Sequence, residues 1–431
     1  MKKSLFETIR STFVSTLLPL LAILAPQAAL RAQNGAETVP PTSIVSAQNI
    51  NPTTVELLYS DGRRMTLDFY GENIFRMFRD DKGGIMRDPE AKPEARILVD
   101  NPRKAAGEIR IGDTDGKITV ATDRIKVIFD KASQLMTVVD AVSGKTVAEQ
   151  TAPIEIGEKS VSIALKENPQ EYFYGGGVQN GRFSHKGKSI AIENQNSWTD
   201  GGVASPTPFY WSTEGYGVMW YTFRKGRYDF GAANDGEVLL SHDTDYLDLF
   251  FMVDDDAVAL LNDYYQLTGN PVLLPKFGFY EGHLNAYNRD YWVEAENGIP
   301  FEDGKRYKES QRDNGGVKES LNGEKDNYQF SARAVIDRYA AHDMPLGWLL
   351  PNDGYGAGYG QTETLDGNIR NLKELGDYAR EKGVQIGLWT QSDLHPKPEV
   401  SALLQRDIVK EVRDAGVRVL KTDVAWVGAG Y

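Results

Sequence analysis

The second half of the chain repeats one unit, and that unit decides what it can fold into. A helical stretch with apolar residues on one face ends at a glycine, and a short apolar run follows. Residues 366–382 place Ile369, Leu372, Leu375, Tyr378 and Ala379 on one face, Gly383 ends the stretch, and Val384-Gln-Ile-Gly-Leu-Trp389 comes next. Residues 398–415 repeat this with Leu403, Leu404, Ile408 and Val412, then Gly416, then Val417-Arg-Val-Leu-Lys-Thr-Asp423. The glycines stand 33 residues apart, the length of a βα unit closed by a left-handed cap. An earlier copy runs from Ser331 through Val335, Ile336 and Tyr339 into Pro345-Leu-Gly-Trp-Leu-Leu350. With residues 277–283 as a first strand, four parallel strands alternate with three helices. A closed (β/α)8 barrel takes ~250 residues and roughly 155 follow from Phe277, so residues 271–431 are expected to form an incomplete barrel of about four βα units, truncated after the fourth strand.

The first half reads differently. From residue 33 to about 270 the chain is a series of short alternating stretches, such as Thr54-Val-Glu-Leu-Leu-Tyr59 and Ile125-Lys-Val-Ile-Phe129, separated by turns such as Asp61-Gly62 and Ser143-Gly144. Period-two runs at this spacing predict an antiparallel β-sandwich, closed by a strand over residues 246–253 and a helix over 257–267. The acidic run at residues 254–256 just ahead of that helix is read as a cap rather than a metal site. Ahead of the sandwich, Lys2, Lys3 and Arg10 precede an apolar run of about 13 residues holding Pro19, too short for the ~20 needed to span a bilayer. Small residues at Ala28, Ala29 and Ala32 offer cleavage sites, so residues 1–32 are expected to be a signal peptide. The expected location is secreted or periplasmic, with no stable membrane span.

Between the first strand and its helix lies a polar stretch over residues 294–329, read either as a rim on the catalytic face or as a disordered insertion.

Composition removes several function classes. The net charge is −13 and the basic residues are scattered, which argues against a nucleic-acid partner. The chain has no Cys, so a thiolate nucleophile or Cys-based zinc site is excluded, and its five His show no ligand spacing. No phosphate loop and no serine elbow is present. Neither a metal nor a cofactor is expected.

In parallel α/β folds chemistry gathers where strands end, because the side chains there converge on one rim. Those ends give Glu281 and His283, then Asn352 and Asp353, then Trp389, and finally Lys421 and Asp423. Carboxylates and amides take paired hydroxyls in bidentate hydrogen bonds, and an aromatic ring covers the apolar face of a pyranose, so a carbohydrate is the expected partner. Asp423 is the sharpest candidate, with Lys421 two residues earlier to favour its ionised form.

Four stretches in order resemble glycoside hydrolase family 31. They are Tyr172-Phe-Tyr-Gly-Gly-Gly177, the run from Pro208 to Val218, the run from Tyr265 to Gly278, and Leu420-Lys-Thr-Asp423. The resemblance implies a β-sandwich ahead of a (β/α)8 barrel and hydrolysis of α-glycosides with retention through a covalent glycosyl-aspartate. Carried over, Asp423 is the nucleophile and Asp353 a hydroxyl ligand, while a loop over residues 194–200 reaches the first sugar subsite with Trp198 and Asp200. Trp426 stands where many members have a Glu, and Asp353 is single where they have a doubled acidic motif. These departures suggest a galacto-configured or N-acetylated sugar and look most like the α-N-acetylgalactosaminidase branch. The family's general acid is expected beyond residue 431, so this chain alone is expected to be an inactive fragment. An α-glucosidase or α-xylosidase of the same family, or a noncatalytic carbohydrate-binding protein, are the competing expectations.

Overall fold

The computed structural model describes residues 42–82, 97–195, 197, 199–285, 291–310, 315–352, 366–391 and 408–423. The signal peptide expected over residues 1–32 lies outside them.

Antiparallel sheets dominate the first half because its alternating runs can bury only one face each. One layer is an eight-stranded sheet in the order Ile44–Asn51, Thr54–Tyr59, Arg64–Phe69, Ile74–Arg79, Leu247–Val253, Tyr216–Trp220, Val203–Ser212, Phe173–Gln179. Opposite it lie two five-stranded sheets, one running Arg110–Thr114 to Thr146–Glu149 and the other holding Val161–Lys166, Glu237–His242 and Gly226–Phe230. A bridge between Gln150 and Leu165 joins those two sheets. Side chains from all three, among them Leu57, Val127, Leu240 and Phe251, share one core. This is the expected β-sandwich, with its second layer built in two parts.

The strand Leu247–Val253 enters the centre of the eight-stranded sheet and is buried at every position. Its odd members join the inter-sheet core, while Phe250 and Met252 pack outward under the helix Ala257–Thr268 through Leu260 and Leu267. Asp248 shares that outer face and is 1% exposed, where an unpaired carboxylate would be costly. Arg76 answers it with a bidentate pair, Nε to Oδ1 at 2.7 Å and Nη2 to Oδ2 at 2.6 Å. The Tyr221 ring lies 4.9 Å from the guanidinium carbon. Burial opposes the Arg76 charge, but the Asp248 carboxylate outweighs it and holds the guanidinium ionised.

The acidic run divides its work. Asp256 caps the helix by accepting from the amides of Val258 and Ala259, each at 2.9 Å, and Asp254 and Asp255 bind Arg124. The run is therefore a helix cap and an ion-pair anchor.

In the second half, strands Glu281–Asn285, Trp348–Asn352, Gln385–Gln391 and Val417–Asp423 form a parallel sheet in chain order. The helices Ala332–Ala341, Asp366–Glu381 and Ile408–Asp414 alternate with them. Ser331 caps the first, its hydroxyl accepting from the amide of Ala334. Ile336, Leu372, Leu375 and Ala379 meet Leu284, Leu349, Ile386 and Leu388 in a separate core.

Two expectations need correction. Residues 276–279 form a 3-10 turn, so the first strand begins at Glu281 rather than Phe277. The polar stretch after it is ordered where it is described, which removes the alternative of a disordered insertion. Its strands Tyr291–Pro300, Arg306–Ser310 and Val317–Lys318 make an antiparallel sheet around Trp292, Phe301, Tyr307 and Phe330. It packs against the helix Ala332–Ala341, where Glu302 binds Arg338 and Tyr328 binds Asp337.

Two predictions follow from these buried groups. Replacing Asp248 by Ala leaves the Arg76 charge buried and unpaired, and should cost about 3–5 kcal/mol in urea unfolding; a loss below 1 kcal/mol would show the pair to be dispensable. Burial also pushes the His242 imidazole down to about 4, where Tyr228 Oη meets Nε2 at 3.0 Å. The unfolded imidazole titrates near 6.5, so the unfolded chain binds the proton first and stability falls as pH drops from about 6.5 towards 4, by on the order of 3 kcal/mol. Asp263, which burial raises to about 6, acts in the opposite sense, losing stability as pH rises from about 4 to 6. The difference in slope between wild type and His242→Gln over this window isolates the imidazole, and equal slopes would refute its role.

Candidate functional site

The parallel sheet sorts its side chains by alternation. Leu284, Leu349, Ile386 and Leu388 face the helices, so Glu281, His283, Trp348, Leu350, Asn352, Gly387 and Trp389 stand on the opposite face. In the fourth strand a register shift lies at Ile386↔Val417 and Gly387↔Val419. Val417 and Leu420 are thereby both turned to the helix-side core, and Lys421 joins the opposite face.

Lys421 spans the sheet on that face. Its register partner is Trp389 on the third strand, yet its Nζ donates to Asn352 Oδ1 on the second strand at 2.9 Å. Asn352 is 6% exposed and ends its strand opposite Asn285. Asp423 ends the fourth strand opposite Gln391, two residues on from Lys421. A row of amide and carboxylate residues therefore closes the C-terminal ends of all four strands: Asn285, Asn352, Gln391 and Asp423.

The tryptophans on this face are packed. Trp348 is 8% exposed and donates its Nε1 to the Gly278 carbonyl at 3.3 Å. Its ring covers Gly387 so closely that a Cβ there would sit 2.5 Å from Cε3. Trp389 is 1% exposed. A ring buried to that degree fills the sheet interior and offers no free face in this structure, which departs from the sugar-stacking role expected of it.

The remaining candidates divide. Glu281 opens its strand opposite Trp348, at the end away from Asn285, so it is not a C-terminal-rim residue as expected; the later start of the strand is the reason. His283 lies mid-strand opposite Leu350 and lines a cavity of about 240 Å³ with Trp292, Phe301 and Glu319. Asp200 is exposed on a turn of the sandwich, against Gly181. Asp353, Trp426 and Trp198 lie outside the described residues. Among the described residues no group of three His, Asp or Glu is placed to hold a metal ion, and no helix is long and apolar enough to cross a membrane.

Sequence reasoning named Lys421 and Asn352 separately but missed the bond between them. Strand alternation puts both on one face, yet which lysine reaches past an intervening strand depends on the register shift, for which the sequence carries no signal.

This geometry can be set beside known proteins. Residues 64–229 match the family model for the glycosyl hydrolase 31 N-terminal galactose mutarotase-like domain. The alpha-xylosidase XylQ of Lactiplantibacillus pentosus is 24% identical over 208 residues, 47% of this chain and 26% of the relative. Among solved structures, a dextranase of Flavobacterium johnsoniae complexed with glucose superposes with a TM-score of 0.61 at 14% identity, over 82% of this chain and 39% of its own. An alpha-xylosidase from a soil metagenome, complexed with xylose, superposes with a TM-score of 0.58 at 14% identity, over 88% of this chain and 57% of its own. At such identities the structural likeness is one of fold. The chain spans about a quarter of the length of the curated relative it matches.

The close packing over Gly387 yields a prediction. Gly387→Ala forces the Trp348 ring aside and should destabilise the chain by about 1–3 kcal/mol through overpacking. Denaturant unfolding together with near-UV circular dichroism would show both effects, and an unchanged midpoint would contradict the contact.

Proposed function

The chain belongs to glycoside hydrolase family 31, and from that premise we propose that it is part of a retaining α-glycoside hydrolase with Asp423 as nucleophile. The observation that supports this most is the position of Asp423 at the C-terminal end of the fourth parallel strand, beside a lysine already engaged by Asn352. Lys421 gives that end of the strand a positive charge, which favours the ionised carboxylate a nucleophile must keep. Asn352 holds the ammonium by one hydrogen bond and so limits where that charge can sit.

In the first step the Asp423 carboxylate attacks the anomeric carbon. The bond to the leaving oxygen breaks as a carboxylic acid ~5 Å away from Asp423 protonates it. In the second step the same acid, now a base, takes a proton from water, whose oxygen displaces the aspartate and restores the carboxylate. We assign the general acid to no residue of this chain. Matched over 39% of the dextranase and 57% of the metagenomic xylosidase, these residues are proposed to be the sandwich, residues 33–270, and the first half of a (β/α)8 barrel, residues 271–431. Activity is accordingly proposed for the whole protein and not for these residues alone.

We propose a terminal α-linked N-acetylgalactosamine or galactose as substrate, supported by Trp426 and the single Asp353 at positions where many members carry acidic residues. Asp353 binds a sugar hydroxyl in this reading. An α-xyloside is the second reading, favoured by the xylosidases among the similar proteins. Export through a cleaved leader over residues 1–32 would bring the enzyme to such glycans outside the cytoplasm.

The test compares aryl α-N-acetylgalactosaminide, α-galactoside, α-xyloside and α-glucoside as substrates of a chain extended through the remaining barrel. Asp423→Ala should lower kcat at least about 10⁴-fold, and a 2-fluoro glycosyl donor should leave its sugar on Asp423 in a peptide mass map. Retained activity in Asp423→Ala would sink the nucleophile assignment.

A further inference from the structure

The lysine that crosses the parallel sheet does so because its strand carries one residue too many. Ile386 pairs with Val417 and Gly387 with Val419, so Arg418 is left over between the two pairs. Simple alternation from Val417, which faces the helices, would turn Val419, Lys421 and Asp423 the same way. The extra residue reverses this. Leu420 takes the helix side, and on the other side a Cβ at Gly387 would lie 3.5 Å from the Val419 Cβ. Lys421 follows Val419 onto that face. Asp423 ends the strand two residues later, roughly 7 Å along it.

The far end of Lys421 is held. Its Nζ donates to Asn352 Oδ1 at 2.9 Å, past the strand that lies between them. An ammonium has only donors, so the amide turns its oxygen towards it. Asn352 is 6% exposed, which leaves little of its amide for a sugar hydroxyl. An aspartate at this position would set an opposing charge against the ammonium, whereas asparagine supplies a hydrogen bond and no charge. Among the described residues, the other titratable ones on this face are Glu281 and His283, both on the first strand at the opposite edge of the sheet from Asp423. Arg418 turns back to the Val417 carbonyl at 3.3 Å.

We propose that Asn352 is a positioning residue: through Lys421 it holds a positive charge beside Asp423 and so keeps the nucleophile ionised, and it does not itself bind sugar. The lysine stem is flexible and its ammonium strongly hydrated, so without a tether the charge would spread over many positions. A fixed positive charge lowers the pH at which a nearby carboxyl group gives up its proton. The acid limb of kcat/KM reports that pH for the free enzyme. This inference rests on the reading of Asp423 as nucleophile and deepens it, by naming the residue that governs its protonation.

The experiment measures kcat/KM against pH for aryl α-glycoside hydrolysis by the extended protein and its variants. Lys421→Met should move the acid limb up by about one pH unit, and Asn352→Leu should move it in the same direction by less. Adding Asn352→Leu to Lys421→Met should move it no further, because the amide acts through the ammonium. Asn352→Asp keeps the shape and still accepts from Lys421 but opposes its charge, so it should move the limb at least as far as Asn352→Leu. The position of a limb does not depend on how much of the enzyme is folded, so a destabilised variant still gives a reading. An unmoved limb in Asn352→Leu or Asn352→Asp, with or without a raised KM, or a further shift when Asn352→Leu joins Lys421→Met, would overturn the proposal. Failure of the nucleophile reading shows separately, as activity retained in Asp423→Ala.

Discussion

A strand at the centre of a sheet that is covered on both sides must be apolar on both faces, and Leu247–Val253 meets that demand at every position except Asp248. The rest of the sandwich is arranged around it. Ile74–Arg79, more than 160 residues earlier, pairs with one of its edges and Tyr216–Trp220 with the other. The single polar intruder is neutralised by a residue of the first neighbour, so the same side-chain pair that removes an electrostatic cost also fixes the register between distant segments. The exit of this strand sets the next element: Asp254 and Asp255 engage Arg124 and Asp256 starts the helix. That helix covers the outer face and hands the chain on to the parallel sheet.

In that sheet the helices claim one face and leave the other to a different chemistry. Apolar residues crowd its middle, with Trp348 lying over Gly387 and Trp389 closed in beside it, while amides and Asp423 end the strands. The packed middle fixes the strands, and the polar residues stand where the strands end. The Lys421–Asn352 bond links the two, a partly buried polar contact between a strand-end amide and the lysine two residues before Asp423.

What the sequence revealed and what it concealed follow from the range of the forces involved. Helix caps at Asp256 and Ser331 and the glycines that end the βα units are local, and they could be read directly. The alternation of the sandwich strands was equally plain, but the division of its second layer into two sheets was not, because strand order depends on pairings far apart in sequence. The start of the first parallel strand was misjudged because Phe277 and Phe279 extend the apolar run into a 3-10 turn. That shift carried Glu281 from one end of the strand to the other in functional meaning. The hairpins between Tyr291 and Lys318 were hidden by their charged composition; their aromatic residues are sparse along the chain and gather only when the strands pair. At the candidate site, the strand-end residues were legible one by one, and their mutual contacts were not.

The small sheet between the first parallel strand and its helix carries its own aromatic nucleus in Trp292, Phe301, Tyr307 and Phe330. That nucleus is separate from the core of the four parallel strands, and the sheet meets the helix Ala332–Ala341 through Glu302 and Tyr328. Gly304 and Lys305 at the tip of its turn are exposed and stand outside that nucleus, whereas Glu302 beside them ties the sheet to Arg338 of the helix. The exposed tip of such a sheet can change its surface without disturbing the aromatic nucleus beneath it. The parallel strands, whose registers are linked from one to the next, grant no such freedom.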